Sequence, residues 1–193
     1  MAYEIDISCS DVTCDPDQVE LRKALEFGLQ LEQVTHAVLS VTIVDNVTMQ
    51  RLNRDHLQHD YATDVISFPL EWTCGAETPG ARGHLSSGRA AGAAIEGEIV
   101  AGGQYAGEMS ARCGWSPQNE LTLYVIHGML HICGYDDLTD TEKKYMRARE
   151  RAVLEGLGLS PRYPDDDLTA DAPVAGGDVL PGITPASSPE GPR

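Results

Sequence analysis

The chain has 193 residues, 41% of them apolar, with 14 basic and 30 acidic residues and a net charge of −16. It is long enough and apolar enough to bury a core, but its charge argues against strong nonspecific nucleic-acid binding, which rests on Lys and Arg neutralising phosphates. No apolar run approaches the roughly 18 residues of a membrane span, and Met1–Asp6 shows neither the basic nor the apolar segment of a signal peptide. Five cysteines (Cys9, Cys14, Cys74, Cys113 and Cys133) are odd in number and make no Cys-x-x-Cys pair, which reads as reduced thiols in a cytoplasmic protein.

Tyr3–Ser8 alternates in polarity and predicts a strand. Asp15, Pro16 and Gln18 supply an N-cap acid, a first-turn proline and a third-position glutamine. The helix they open continues to about Val34, with Leu21, Leu25 and Leu29 at helical spacing. Ala37–Val44 is apolar and β-branched, a buried strand. Asn46 caps a further helix that places Met49, Leu52 and His56 on one face. Asp64–Pro69 predicts a strand closed by its proline. Residues 73–95 are rich in Gly, Ala and Ser, with Arg82, His84 and Arg89, and read as a flexible loop. A short strand and a short helix over Gln104–Cys113 follow, and Ser116-Pro117 opens the next helix.

That helix ends in His127-Gly-Met-Leu-His131-Ile-Cys-Gly134-Tyr-Asp136-Asp137. Histidines four apart project from one helix face, a spacing that suits two imidazoles on one metal ion. Gly134 can end the helix in a left-handed cap. Asp137, with Asp136 as its alternative, stands where the returning chain would complete the site. Gly128 occupies the glutamate position of the metalloprotease helix His-Glu-x-x-His, so a peptidase with a helical general base is disfavoured. Beyond the ligands, Thr139 and Glu142 form a capping box for a last helix to about Leu154, with Tyr145, Ala148 and Ala152 on one face. Lys143, Lys144, Arg147, Arg149 and Arg151 make its other face the densest basic cluster in the chain. Seven of the eleven prolines lie from Pro161 onward, and residues 161–193 carry six acids against two bases, a composition that predicts a disordered tail.

The elements amount to an α+β domain, one sheet with helices packed on it. The predicted division is a domain over 1–158, interrupted by the 73–95 loop, and a tail over 159–193.

His-Gly-x-Leu-His-x-x-Gly-Tyr-Asp over 127–136, together with Thr63-Asp-Val-Ile-Ser-Phe68, resembles the YbeY family of bacterial rRNA maturation factors over residues 3–155. The resemblance implies a mixed four-stranded sheet with a metal cleft at one side, the site lying on a central helix and the turn after it. It also implies a metal-dependent endoribonuclease of single-stranded RNA that processes the 3′ end of small-subunit 16S rRNA and serves ribosome quality control. The implied metal and catalytic set is His127, His131 and Asp137, holding one Zn²⁺ per chain. The implied partners are rRNA and the small ribosomal subunit, with ribosomal proteins or a GTPase assembly factor beside them. Gly97-Glu-Ile-Val100 resembles the family's Gly-Asp-Ile strand, with Glu98 in place of the aspartate, and two further departures bear on the cleft. Asp137 stands where the family carries a third histidine, and Leu57 where it carries a cleft arginine, leaving Arg51 and Arg54 as the cations available to compensate. Competing readings are a non-enzymatic ribosome-assembly factor, a metal hydrolase of small phosphoesters and, last, an iron oxygenase with two histidines and a carboxylate.

Overall fold

The computed structural model describes residues 2–11, 13–74 and 88–163. Its four strands are β1 (Ala2–Cys9), β2 (His36–Val44), β3 (Val65–Cys74) and β4 (Ala93–Gly102). Its five helices are α1 (Gln18–Leu31), α2 (Asn46–Leu57), α3 (Gly103–Cys113), α4 (Pro117–Ile132) and α5 (Asp140–Gly156). The sheet order is β1-β2-β4-β3. β1, β2 and β4 run parallel and β3 runs antiparallel to β4, so the sheet is mixed and the fold is α+β.

α4 fixes the architecture. From Leu121 to Ile132 it is apolar almost all round, and such a helix must be enclosed. It lies against β3 and β4, with α1, α3 and α5 beside it. Gly128 makes the approach to the sheet possible. A Cβ there would sit 3.0 Å from methyl groups of both Ile99 and Val65. The main core gathers Leu21, Leu25, Leu29, Leu39, Ile99, Ile126, Met129 and Leu130, all essentially without exposure. A smaller cluster, Val44, Met49 and Ile66 with Leu52 and Phe68, joins α2 to the sheet.

Several boundaries differ from the sequence expectation, each for a local reason. α1 begins after Asp17, whose side chain accepts from the backbone of Val19 and Glu20, so Asp17 and not Asp15 is the cap. α2 is capped by Asp45, with Asn46 as its first residue. β3 does not stop at Pro69 but continues to Cys74. It is an edge strand, where a proline's missing N–H is tolerated, and the register shifts between Pro69 and Glu71. α5 buries Met146, Glu150, Val153 and Leu154, whereas Tyr145 and Ala148 are exposed. The buried face is therefore rotated by one residue, about 100°, from the expected one.

Of residues 73–95, positions 73 and 74 end β3, positions 93–95 begin β4, and 88–92 form turns bonded to Glu32 and Gln33. Residues 75–87, with Arg82 and His84, lie outside the described residues, as does the tail from 164. The chain stays packed through Tyr163, and Pro161 and Tyr163 are buried. Among the described residues no helix is long and apolar enough to cross a membrane.

Candidate metal centre

α4 presents His127 and His131 one turn apart, and their Nε2 atoms approach to 2.9 Å. Gly134, at φ +86°, takes the left-handed position that ends the helix. The chain turns back and delivers Asp137, whose Oδ2 lies 3.8 Å from His127 Nε2 and whose Oδ1 lies 3.9 Å from His131 Nε2. One ligand atom from each of the three residues falls within 4.8 Å of the other two. Tetrahedral bonds of 2.0–2.1 Å require ligand atoms about 3.3 Å apart, so the observed spacings bracket that value. Asp136 plays a different part. Its Oδ1 accepts from the backbone N–H of Asp137 at 2.8 Å and fixes the turn.

The outer edges of both rings are fixed. His127 Nδ1–H donates to Glu150 Oε1 at 2.6 Å, and His131 Nδ1–H donates to the carbonyl of Tyr135 at 3.0 Å. A carboxylate and a carbonyl only accept, which places the ring protons on Nδ1 and leaves each Nε2 with a lone pair turned inward. Two lone pairs 2.9 Å apart repel unless a cation lies between them, whether a proton or a metal ion. This donor set, two imidazoles and a carboxylate, fits Zn²⁺. The side chains of His127, His131 and Asp137 are 20, 24 and 39% exposed, so the site opens to solvent on one side, as a catalytic centre needs and a structural one does not.

Glu150 is the participant that sequence reasoning missed. It lies on α5, is 3% exposed, and accepts from Tyr163 Oη–H at 2.7 Å through its second oxygen. The signal was present: Met146, Glu150, Val153 and Leu154 fall at helical spacing, and a glutamate interrupts an apolar face. Burial opposes charge on His127, but the hydrogen bond and charge of Glu150, followed by the charges of Asp64 and Asp137, outweigh it and raise His127 above the ordinary histidine range. His131 is lowered, by burial and then by His127 beside it. Burial, then Glu150, pushes the Tyr163 hydroxyl up, so it remains a donor.

The remaining candidates lie elsewhere. Leu57 ends α2 and is half-exposed. Arg54 on the same helix is turned toward Asp55 and Asp60, at 3.5 and 3.6 Å, and Arg51 is exposed on that helix. Within the basic cluster of α5, Arg149 turns inward to Glu32, and Arg147 and Arg151 lie over the Tyr163 ring. Cys133 is buried in the core. Cys9, Cys14, Cys113 and Cys133 are free thiols, and burial, with Cys9 and Asp11, pushes Cys14 up to about 11, which does not suit a metal-binding thiolate.

A sequence model of the family described as Endoribonuclease YbeY matches residues 5–158. The chain is 34% identical over 176 residues to an endoribonuclease YbeY of Rhodopirellula baltica, covering 86% of this chain and 81% of that one. It is 35% identical over 142 residues to that of Bacillus licheniformis, covering 73% of this chain and 85% of the other. A solution structure of a Thermotoga maritima protein aligns with 90% of this chain and 99% of its own, at 18% identity and a TM-score of 0.46. The family match, which spans the sheet, α4 and its two histidines, the Asp137 turn and Glu150, shows that this chain belongs to the endoribonuclease YbeY family.

Proposed function

We propose that the protein is a metal-dependent endoribonuclease that cleaves single-stranded precursor rRNA in the cytoplasm, acting at the 3′ end of small-subunit 16S rRNA and in ribosome quality control. The observation that carries this reading is the convergence of His127 Nε2, His131 Nε2 and the Asp137 carboxylate at a point partly open to solvent. Relatives about one-third identical over most of the chain are named endoribonucleases. Bound between these groups, Zn²⁺, one per chain, would supply an acidified water and a Lewis acid toward a phosphoryl oxygen.

The chain's own residues set the conditions. Glu150 and the Tyr135 carbonyl hold the two rings so that both Nε2 atoms face one point. Asp137 brings a negative charge, so the site carries one positive charge less than three histidines would give it. The test is cleavage of a precursor 16S rRNA by the purified, zinc-loaded chain. Cleavage that disappears in His127→Ala is expected. Equal cleavage by that variant would overturn the reading.

A second reading is favoured by one observation. Leu57 replaces the family's arginine on α2, and the nearby Arg54 faces its own acidic neighbours. A chain without that cation could act as an assembly factor that binds the small subunit, with ribosomal proteins or a GTPase as partners, and cuts nothing. Co-sedimentation with the small subunit, undiminished by His127→Ala and without cleavage, would select it.

A further inference from the structure

We infer that Trp72 and Arg89 form a nucleotide subsite beside the metal centre, Trp72 stacking an unpaired RNA base and Arg89 holding a backbone phosphate. The inference rests on the ribonuclease reading above and names how its substrate would be gripped.

Both residues meet at Gly134, in the turn between His131 and Asp137. Trp72 reaches it because of the irregularity in β3. Val65 pairs with Ala101 and Ser67 with Ile99, on the sheet face that α4 covers. Strict alternation would then place residue 71 on that face and residue 72 on the other. The shift between Pro69 and Glu71 instead sets Trp72 opposite Ile95, whose side chain belongs to the α4 side. The indole edge lies 3.1–3.2 Å from where a Cβ on Gly134 would stand, yet the residue remains 39% exposed.

Arg89 arrives from the other direction. Its backbone N–H donates to Glu32 Oε2 at 3.1 Å, its Nη1 donates to the Gly134 carbonyl at 2.8 Å, and its guanidinium lies 4.8 Å from the Tyr135 ring centroid. Glu32 is itself fully buried and fixed by Arg149 and the Tyr135 hydroxyl. The guanidinium is therefore held before any ligand arrives. It has five N–H donors in all, and the side chain is exposed. The Tyr135 carbonyl that fixes His131 belongs to the same turn, so the pair flanks the cluster directly.

Single-stranded RNA is the ligand that this chemistry suits. Only an unpaired base offers a free face to an indole, and stacking is worth roughly 5- to 150-fold in affinity per base. A chain of net charge −16 has few cations to spend on phosphates, so stacking must carry more of the binding. A purely structural alternative makes Arg89 a cation on the C-terminal carbonyls of α4 and Trp72 its cover.

The experiment is steady-state cleavage of a single-stranded oligoribonucleotide by the zinc-loaded full chain. Trp72→Ala and Arg89→Ala are each expected to raise KM roughly 5- to 100-fold with kcat within about two-fold. Trp72→Phe should restore most of the loss. In a Trp115→Phe background Trp72 is the chain's one remaining tryptophan of two. Its fluorescence, read by stopped flow before turnover, should be quenched by the single strand and much less by the same sequence as a duplex. Unchanged KM in both alanine variants, equal quenching by duplex RNA, or losses confined to melting temperature and metal content would overturn the subsite. A wild-type chain that quenches with single-stranded RNA but cuts none would instead refute the ribonuclease reading and leave the subsite standing.

Discussion

His127 is where opposed effects meet: burial disfavours its charge, and the hydrogen bond and charge of Glu150, joined by the charges of Asp64 and Asp137, together outweigh it. With a metal ion bound, the same bond would make the imidazole a better and better-aimed ligand. Glu150→Gln is therefore expected to weaken zinc binding about 10- to 100-fold, measured by competition with a chromogenic chelator. Tyr163→Phe, which leaves Glu150 in place, should cost far less. On the proposed metal-dependent reading, Asp137 would set the pH of the reaction. Asp137→His would raise the charge of the site and acidify its bound water, so the pH–rate profile should move to lower pH; a profile that stays put would contradict an anionic ligand. The convergence of His127, His131 and Asp137 was legible in the sequence because a helix and one glycine turn fix their spacing. Glu150 and Tyr163 were not, because their partners lie 23 and 13 residues away and only the packing of α5 joins them.

Between elements, a buried ion pair ties α5 to the end of α1. Arg149 Nε and Nη2 both donate to Glu32 Oε1 at 2.7 Å, with Glu32 fully buried. Removing one partner strands the other. Arg149→Ala should lose about 3–5 kcal/mol in denaturant unfolding, and Arg149→Met combined with Glu32→Gln should recover much of it. A second test lies in the first turn of α4. Burial, opposed by the Tyr124 hydrogen bond and assisted by Asp64, raises the Glu120 carboxyl above its ordinary value. A raised acid favours the folded state fully below its unfolded pKa, about 4.3, and that contribution is lost as pH rises through the folded value. Glu120→Gln should therefore raise the melting temperature near pH 7, with the gain shrinking toward pH 4. At this scale α4 was legible, since a run apolar all round has one place to go. The face of α5 was misread because Tyr145 and Met146 are adjacent and one residue turns the face by about 100°. The length of β3 was misread because Pro69 reads as a stop unless the strand is known to lie at an edge.

Across the whole molecule, the order of strands and helices followed from local pattern, but the sheet order β1-β2-β4-β3 depends on pairings between distant segments that carry no local signal. The path of residues 159–163 was equally hidden. Their composition resembles the tail, yet Tyr163 ends 8% exposed with its hydroxyl on Glu150 and two arginines over its ring. A chain ending at residue 163 should keep the zinc affinity and melting temperature of the full chain, whereas one ending at 158 should lose several-fold in the first and several degrees in the second. The expectations for zinc affinity and for the pH of the reaction depend on one ion that α4 and the turn beyond it would hold. The direct test is the metal content of the purified full chain and of His127→Ala, His131→Ala and Asp137→Ala, each confirmed folded by circular dichroism. One equivalent of zinc in the native chain and a small fraction of it in each variant is the expected result. A native chain that binds none, or an Asp137→Ala chain that keeps a full equivalent at native affinity, would contradict it.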